Sequence, residues 1–119
     1  MRSSRTAEIL ACLCAIIAHR FQHRGLTMKA TAELQVIPLG AGVSVRQQVT
    51  RIVELLQEGN FILETHAAGT NIEGEFPDIL AAVERIHEAM HAAGSVRLIS
   101  HLKLETRTDK VPTLAGKRL

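Results

Sequence analysis

A chain of 119 residues suits one domain, and its 46% apolar content is enough for a core. The formal charge of +2 belongs to the N-terminus: residues 1–27 carry Arg2, Arg5, Arg20 and Arg24 against Glu8, leaving residues 28–119 at −1. A near-neutral body with Phe61 and Phe76 as its only aromatics has neither the electrostatic footprint nor the stacking platforms of a nucleic-acid-binding domain.

Residues 1–27 form a leader with an apolar run from Ile9 to Ala18, too short to span a bilayer. Glu8 at its edge and the lack of a small-x-small cleavage site argue against a signal peptide. A targeting segment, an appended amphipathic helix and a mis-assigned start are the open readings. The last fits best, because Met28 directly precedes the first strand-like run and codons for Arg24 and Gly25 could supply a purine-rich ribosome-binding sequence. On this reading the leader is disordered or untranslated, and residues 28–119 are the domain. Cys12 and Cys14 are the only cysteines and both lie in the leader. The body therefore has no disulfide and no thiolate metal site, which predicts a reducing, cytoplasmic setting.

In the body, residues 31–38 (TAELQVIP) alternate, with Ala32, Leu34 and Val36 on one side and Thr31, Glu33 and Gln35 on the other: a half-buried strand ended by Pro38. Residues 44–59 read as a helix. Ser44 and Gln47 form a capping box, Val45, Val49, Ile52, Val53 and Leu56 form the apolar stripe, and Gly59 is the left-handed stop. Residues 60–74 read as a tight hairpin turning at Ala67-Ala68-Gly69, with Thr70, Ile72 and Gly74 alternating with Asn71 and Glu73. Residues 75–94 are a second helix with Pro77 in its first turn, a buried stripe of Ile79, Leu80, Val83, Ile86 and Met90, and Gly94 at its end. Residues 95–105 are the last strand, and the polar remainder is a loop or arm.

The order β-α-β-β-α-β predicts an α+β, ferredoxin-like domain: a four-stranded antiparallel sheet with two helices on one face. The other face is left open and displays Glu33, Gln35, Glu64, His66, Asn71, Glu73, Arg97, His101 and Lys103. Such a face can be simply solvated, can join subunits, or can hold a small polar ligand between subunits, and the last two are compatible.

Residues 87–91 spell H-E-x-x-H, and Gly94 extends the match toward the longer zinc-protease pattern. Arg97 occupies the place of the third histidine, and a guanidinium offers no lone pair to a metal. His87 and His91 therefore read as boundary residues of an amphipathic helix and Glu88 as a solvated charge; no metal site is predicted. LGAG is too short for a phosphate loop, and no dinucleotide fingerprint is present.

Residues 32–40 (AELQVIPLG) with the following Ser44, GTNIEG at 69–74, HEAMHAAG at 87–94 and TRTDK at 106–110 resemble the thiamine-binding protein family, also called the MTH1187/YkoF-like or UPF0045 family. The resemblance spans nearly all of residues 28–110 and leaves the leader unmatched. It implies a ferredoxin-like subunit, homodimers or homotetramers formed through the sheets, binding of thiamine or its hydroxymethylpyrimidine part, and no catalysis or cofactor. Carried over by motif, the ligand-binding candidates are Glu33, Ser44, Thr70, Asn71 and Glu73. Hydroxyl, amide and carboxylate groups suit the acceptor nitrogens and amine of an aminopyrimidine, and a carboxylate offsets the thiazolium charge. The expectation is a cytoplasmic, non-catalytic binding protein with no membrane or nucleic-acid partner. The alternatives are an oligomerisation or regulatory module without a ligand and, more weakly, a metal-dependent hydrolase using His87 and His91.

Overall fold

The computed structural model describes residues 27–42 and 45–118. It contains β1 (Lys29–Leu39), α1 (Arg46–Gln57), β2 (Ile62–His66), β3 (Gly69–Glu75), α2 (Phe76–Ala92), β4 (Arg97–Glu105) and a final 3-10 turn, Ala115–Lys117. The sheet order is β2-β3-β1-β4 and every pairing is antiparallel. This is the predicted ferredoxin-like architecture.

Alternation assigns the faces. The register sets Ala32 between Ile72 and Leu104, and Leu34 between Thr70 and Leu102, all toward the helices. From below, α1 contributes Ile52, Leu55 and Leu56, and α2 contributes Ile79, Ala82, Ile86 and Met90. Leu56, Ile72, Ile79 and Ile86 are the largest fully buried side chains, each stabilising by about 1.5–3 kcal/mol through burial. Arg85 ties the helices together by donating to the Leu55 carbonyl at 2.9 Å, near the end of α1 where carbonyls lack helical partners.

Three local expectations change. Val45 is the N-cap of α1, without a side-chain cap bond, one residue beyond the predicted cap Ser44, which lies outside the described residues. In the stripes, Leu55 is buried where Val49 was expected, and Ala82 where Leu80 was expected; Val49 and Leu80 are exposed. Gly59 is not a left-handed stop, since positive φ among the described residues falls at Gly40, Gly42 and Gly94. Gly59 serves close packing instead: a Cβ there would lie 2.3 Å from the Phe61 ring, and one at Gly74 would lie 2.6 Å from the same ring. Gly94 does end α2 as predicted, with Ser95 N–H returning to the Met90 carbonyl at 3.0 Å.

Candidate ligand-binding site

Thr70 lines one cavity and Glu33 and Asn71 line another on the opposite face of the sheet, while Glu73 lines neither. Neighbours along a strand point to opposite sides, so Thr70 faces the helices while Asn71 and Glu73 face outward with Glu33. Ser44 lies outside the described residues.

The helix-side cleft, about 240 Å³, opens between α1, β1 and the β2–β3 hairpin. Leu34, Val36 and Pro38 from β1 and Val49, Ile52 and Val53 from α1 make it apolar. Thr65 and Thr70 supply its hydroxyls. They are cross-strand partners with Oγ1 atoms 3.3 Å apart, and Thr70 is buried. Their mutual bond uses one proton, so a second hydroxyl proton and unused lone pairs remain for a ligand. The exposed Val49, off the core stripe, is explained by its place in this wall.

The open-face pocket, about 200 Å³, is lined by Thr31, Glu33, Asn71, Lys103, Glu105 and the C-terminal arm. The arm crosses the face with Pro112 and Leu114 buried. Leu114 N–H donates to Glu73 Oε1 at 2.7 Å, and ion pairs join Lys117 to Glu105 and Arg118 to Glu64. Thr31, an outward residue, is thereby only 3% exposed. Lys117 holds the Glu105 carboxyl below its ordinary range, chiefly through their hydrogen bond. Glu73 thus anchors the arm and its Oε1 is committed there. The apolar cluster Val111, Pro112 and Leu114 after the polar run 106–110 was the available sequence signal for this contact.

His66 braces the hairpin and the open face together. Its Nδ1 accepts the Ala68 N–H at 3.2 Å, which places the neutral ring's proton on Nε2. Nε2 donates to Asn71 Oδ1 at 3.1 Å, with Glu33 Oε2 3.5 Å away. Asn71 therefore turns its amide N–H groups away from His66.

His87 and His91 are both engaged. His87 Nε2 meets the Ser100 hydroxyl on β4, and His91 Nδ1 donates to the Ser95 carbonyl at 2.7 Å. Their ring centres are 6.2 Å apart. Among the described residues, no group of three His, Cys, Asp or Glu side chains is arranged to hold a metal, and no helix is long and apolar enough to cross a membrane.

The family described as Thiamine-binding protein matches residues 32–118. The chain belongs to the thiamine-binding protein family. A UPF0045 protein of Synechocystis is 40% identical over 102 residues, covering 86% of this chain and 83% of the relative. That alignment is longer than residues 28–119 and so takes in part of the leader. The crystal structure of a Methanocaldococcus jannaschii protein superposes with a TM-score of 0.71 at 36% identity, covering 76% of this chain and 92% of that one. A Thermotoga maritima structure, put forward as a thiamine biosynthesis/salvage protein, shares the fold with a TM-score of 0.67 at 20% identity, covering 75% and 94%.

Proposed function

We propose that the protein binds thiamine, or its hydroxymethylpyrimidine part, without converting it, as a homo-oligomer in the cytoplasm. The observation that carries this is the Thr65–Thr70 hydroxyl pair inside the apolar helix-side cleft. An aminopyrimidine presents a ring-nitrogen acceptor beside an amine donor, and paired hydroxyls can donate to one and accept from the other. The ring's faces meet aliphatic walls, as small-molecule sites commonly provide. At about 240 Å³ the cleft is smaller than the ~300–1,000 Å³ typical of sites enclosing larger ligands, so it suits one ring and leaves the thiazolium at the mouth.

Calorimetric titration of thiamine and then hydroxymethylpyrimidine tests this, with Thr70→Val as the variant. Removing the hydroxyl while keeping the shape should weaken binding about tenfold, the effect of one neutral hydrogen bond. Unchanged affinity in Thr70→Val, with loss in Asn71→Ala, would move the site to the open face. No heat with either ligand would overturn the reading.

A specific observation favours self-association as a further role. At the end of the open face away from the arm, Ile37 lies opposite Ile99, and Leu39 and Ile99 are exposed. The edge strand β4 beside them is nine residues long. Sedimentation of Ile99→Lys should show a smaller assembly than the parent protein; identical sedimentation would remove this patch as an interface.

A further inference from the structure

We infer that the open-face pocket is a second binding site, for a small zwitterion of the amino-acid type. This goes beyond the vitamin reading and does not rest on it.

Most charges on the open face are already matched. Of the carboxylates on this face, Glu105 is paired with Lys117, Glu64 with Arg118, and Glu73 receives the Leu114 N–H. Glu33 and Lys103 stand directly opposite each other on β1 and β4 and both line the pocket. Among the described residues the one contact of the Glu33 carboxylate that approaches an ion pair is with the His66 ring, 3.5 Å away, and that ring is neutral while Nδ1 accepts the Ala68 N–H. No ion pair joins Glu33 to Lys103 among the described residues. An anion and a cation thus border one cavity side by side, each with capacity to spare.

The neutral groups extend the same pattern. With Asn71 Oδ1 taken by His66, the Asn71 amide has N–H donors left. Thr31 lines the pocket from the next position on the same face. Glu33 on β1 lies between its register partners Asn71 on β3 and Lys103 on β4, so donors flank a central acceptor. A ligand ammonium would pair with Glu33, and its carboxylate would take Lys103 in a charge-assisted bond.

Charge balance and size select the class. The lining holds Glu33 and Glu105 against Lys103 and Lys117, so a net ion of either sign gains little, whereas a neutral dipolar molecule satisfies both ends. The volume of about 200 Å³ equals that of about six or seven liquid waters, room for a small amino acid. Leu114 and Lys117 border the pocket from the arm, so the arm lies where it can cover a bound molecule.

Calorimetry on the full chain tests the inference, with a panel of small L-amino acids and 4-aminobutanoate as probes. Ethylamine and propionate at matched ionic strength supply each charge alone. Saturable binding is expected for at least one zwitterion and for neither half. Glu33→Gln and Lys103→Gln, both surface changes that remove a charge, should each weaken it about tenfold or more, the loss of one charge-assisted bond, and the thiamine isotherm stays unchanged in Lys103→Gln. The inference is overturned if no zwitterion binds, or if binding persists in both variants. Weaker thiamine binding in Glu33→Gln would instead make this pocket the vitamin site, overturning both the inference and the cleft assignment.

Discussion

The carboxylate of Glu73 accepts the backbone N–H of Leu114 at 2.7 Å, joining the second strand of the hairpin, β3, to a tail 41 positions away. That bond fixes the arm over Thr31 and buries Leu114 to 7% exposure. Glu73→Ala removes a hydrogen bond to a charged group and loosens the burial of Leu114. Each effect has a scale of about 1.5–3 kcal/mol, and partial overlap predicts a combined loss of about 2–3 kcal/mol. Urea denaturation measures the loss, and hydrogen exchange at the Leu114 amide reports the arm directly. Unchanged protection of that amide would mean that apolar burial alone holds the arm.

Acid should release the same arm. Lys117 lowers the Glu105 carboxyl from its ordinary value of 4.5, first by hydrogen bonding, and Arg107 lowers Asp109 from 3.8 in the same way. A lowered folded-state value means that the stabilisation is fully present above the ordinary value and is lost as pH falls through the folded one. The amides of Gly116 and Lys117 should therefore lose protection only below about pH 4.5, and earlier in high salt because both pairs are exposed. In Glu105→Gln the Gly116 and Lys117 amides should be less protected at neutral pH and should change less on acidification. Equal acid sensitivity in parent and variant would rule out this pair as the cause.

The strand faces were legible because period-two alternation is a local property: Ala32, Leu34 and Val36 point inward as the pattern requires. The same alternation placed Thr70 opposite in sense to Asn71 and Glu73. Treating GTNIEG as one site followed the motif's contiguity, and the sheet splits it between two cavities. Helix phase was less legible. Residue hydrophobicity favoured Leu80 over Ala82, but the smaller side chain occupies the position packed against the sheet and Leu80 is 45% exposed. The arm's seat on Glu73 and the Thr65–Thr70 pairing depend on contacts between strands and tail, which no single segment encodes.

One ring explains two glycines. Phe61 occupies the space that a Cβ at Gly59 or Gly74 would need. Gly74→Ala should destabilise by about 1–3 kcal/mol, the usual cost of overpacking. Combining it with Phe61→Leu should cost less than the sum of the two single changes, because the smaller side chain vacates the contested space. Chemical denaturation of the parent, both single variants and the double variant measures the coupling. Strict additivity would show that the ring can turn aside without strain.

The H-E-x-x-H stretch makes a separate prediction about stability and metal. His87 bridges α2 to β4 through Ser100, and His91 closes the helix end through the Ser95 carbonyl. Both histidines thus hold the α2–β4 junction, where the chain turns from the second helix into an edge strand. His87→Ala should cost about 1–2 kcal/mol, since it removes a half-buried hydrogen bond and leaves the Ser100 hydroxyl unsatisfied. Thiamine affinity should not change, because neither histidine borders the helix-side cleft. Zinc should leave the melting temperature of the parent unaltered, as two engaged imidazoles without a third ligand make a poor site. A stoichiometric zinc-dependent rise in melting temperature, lost in both His87→Ala and His91→Ala, would show that these rings leave their hydrogen bonds for a metal.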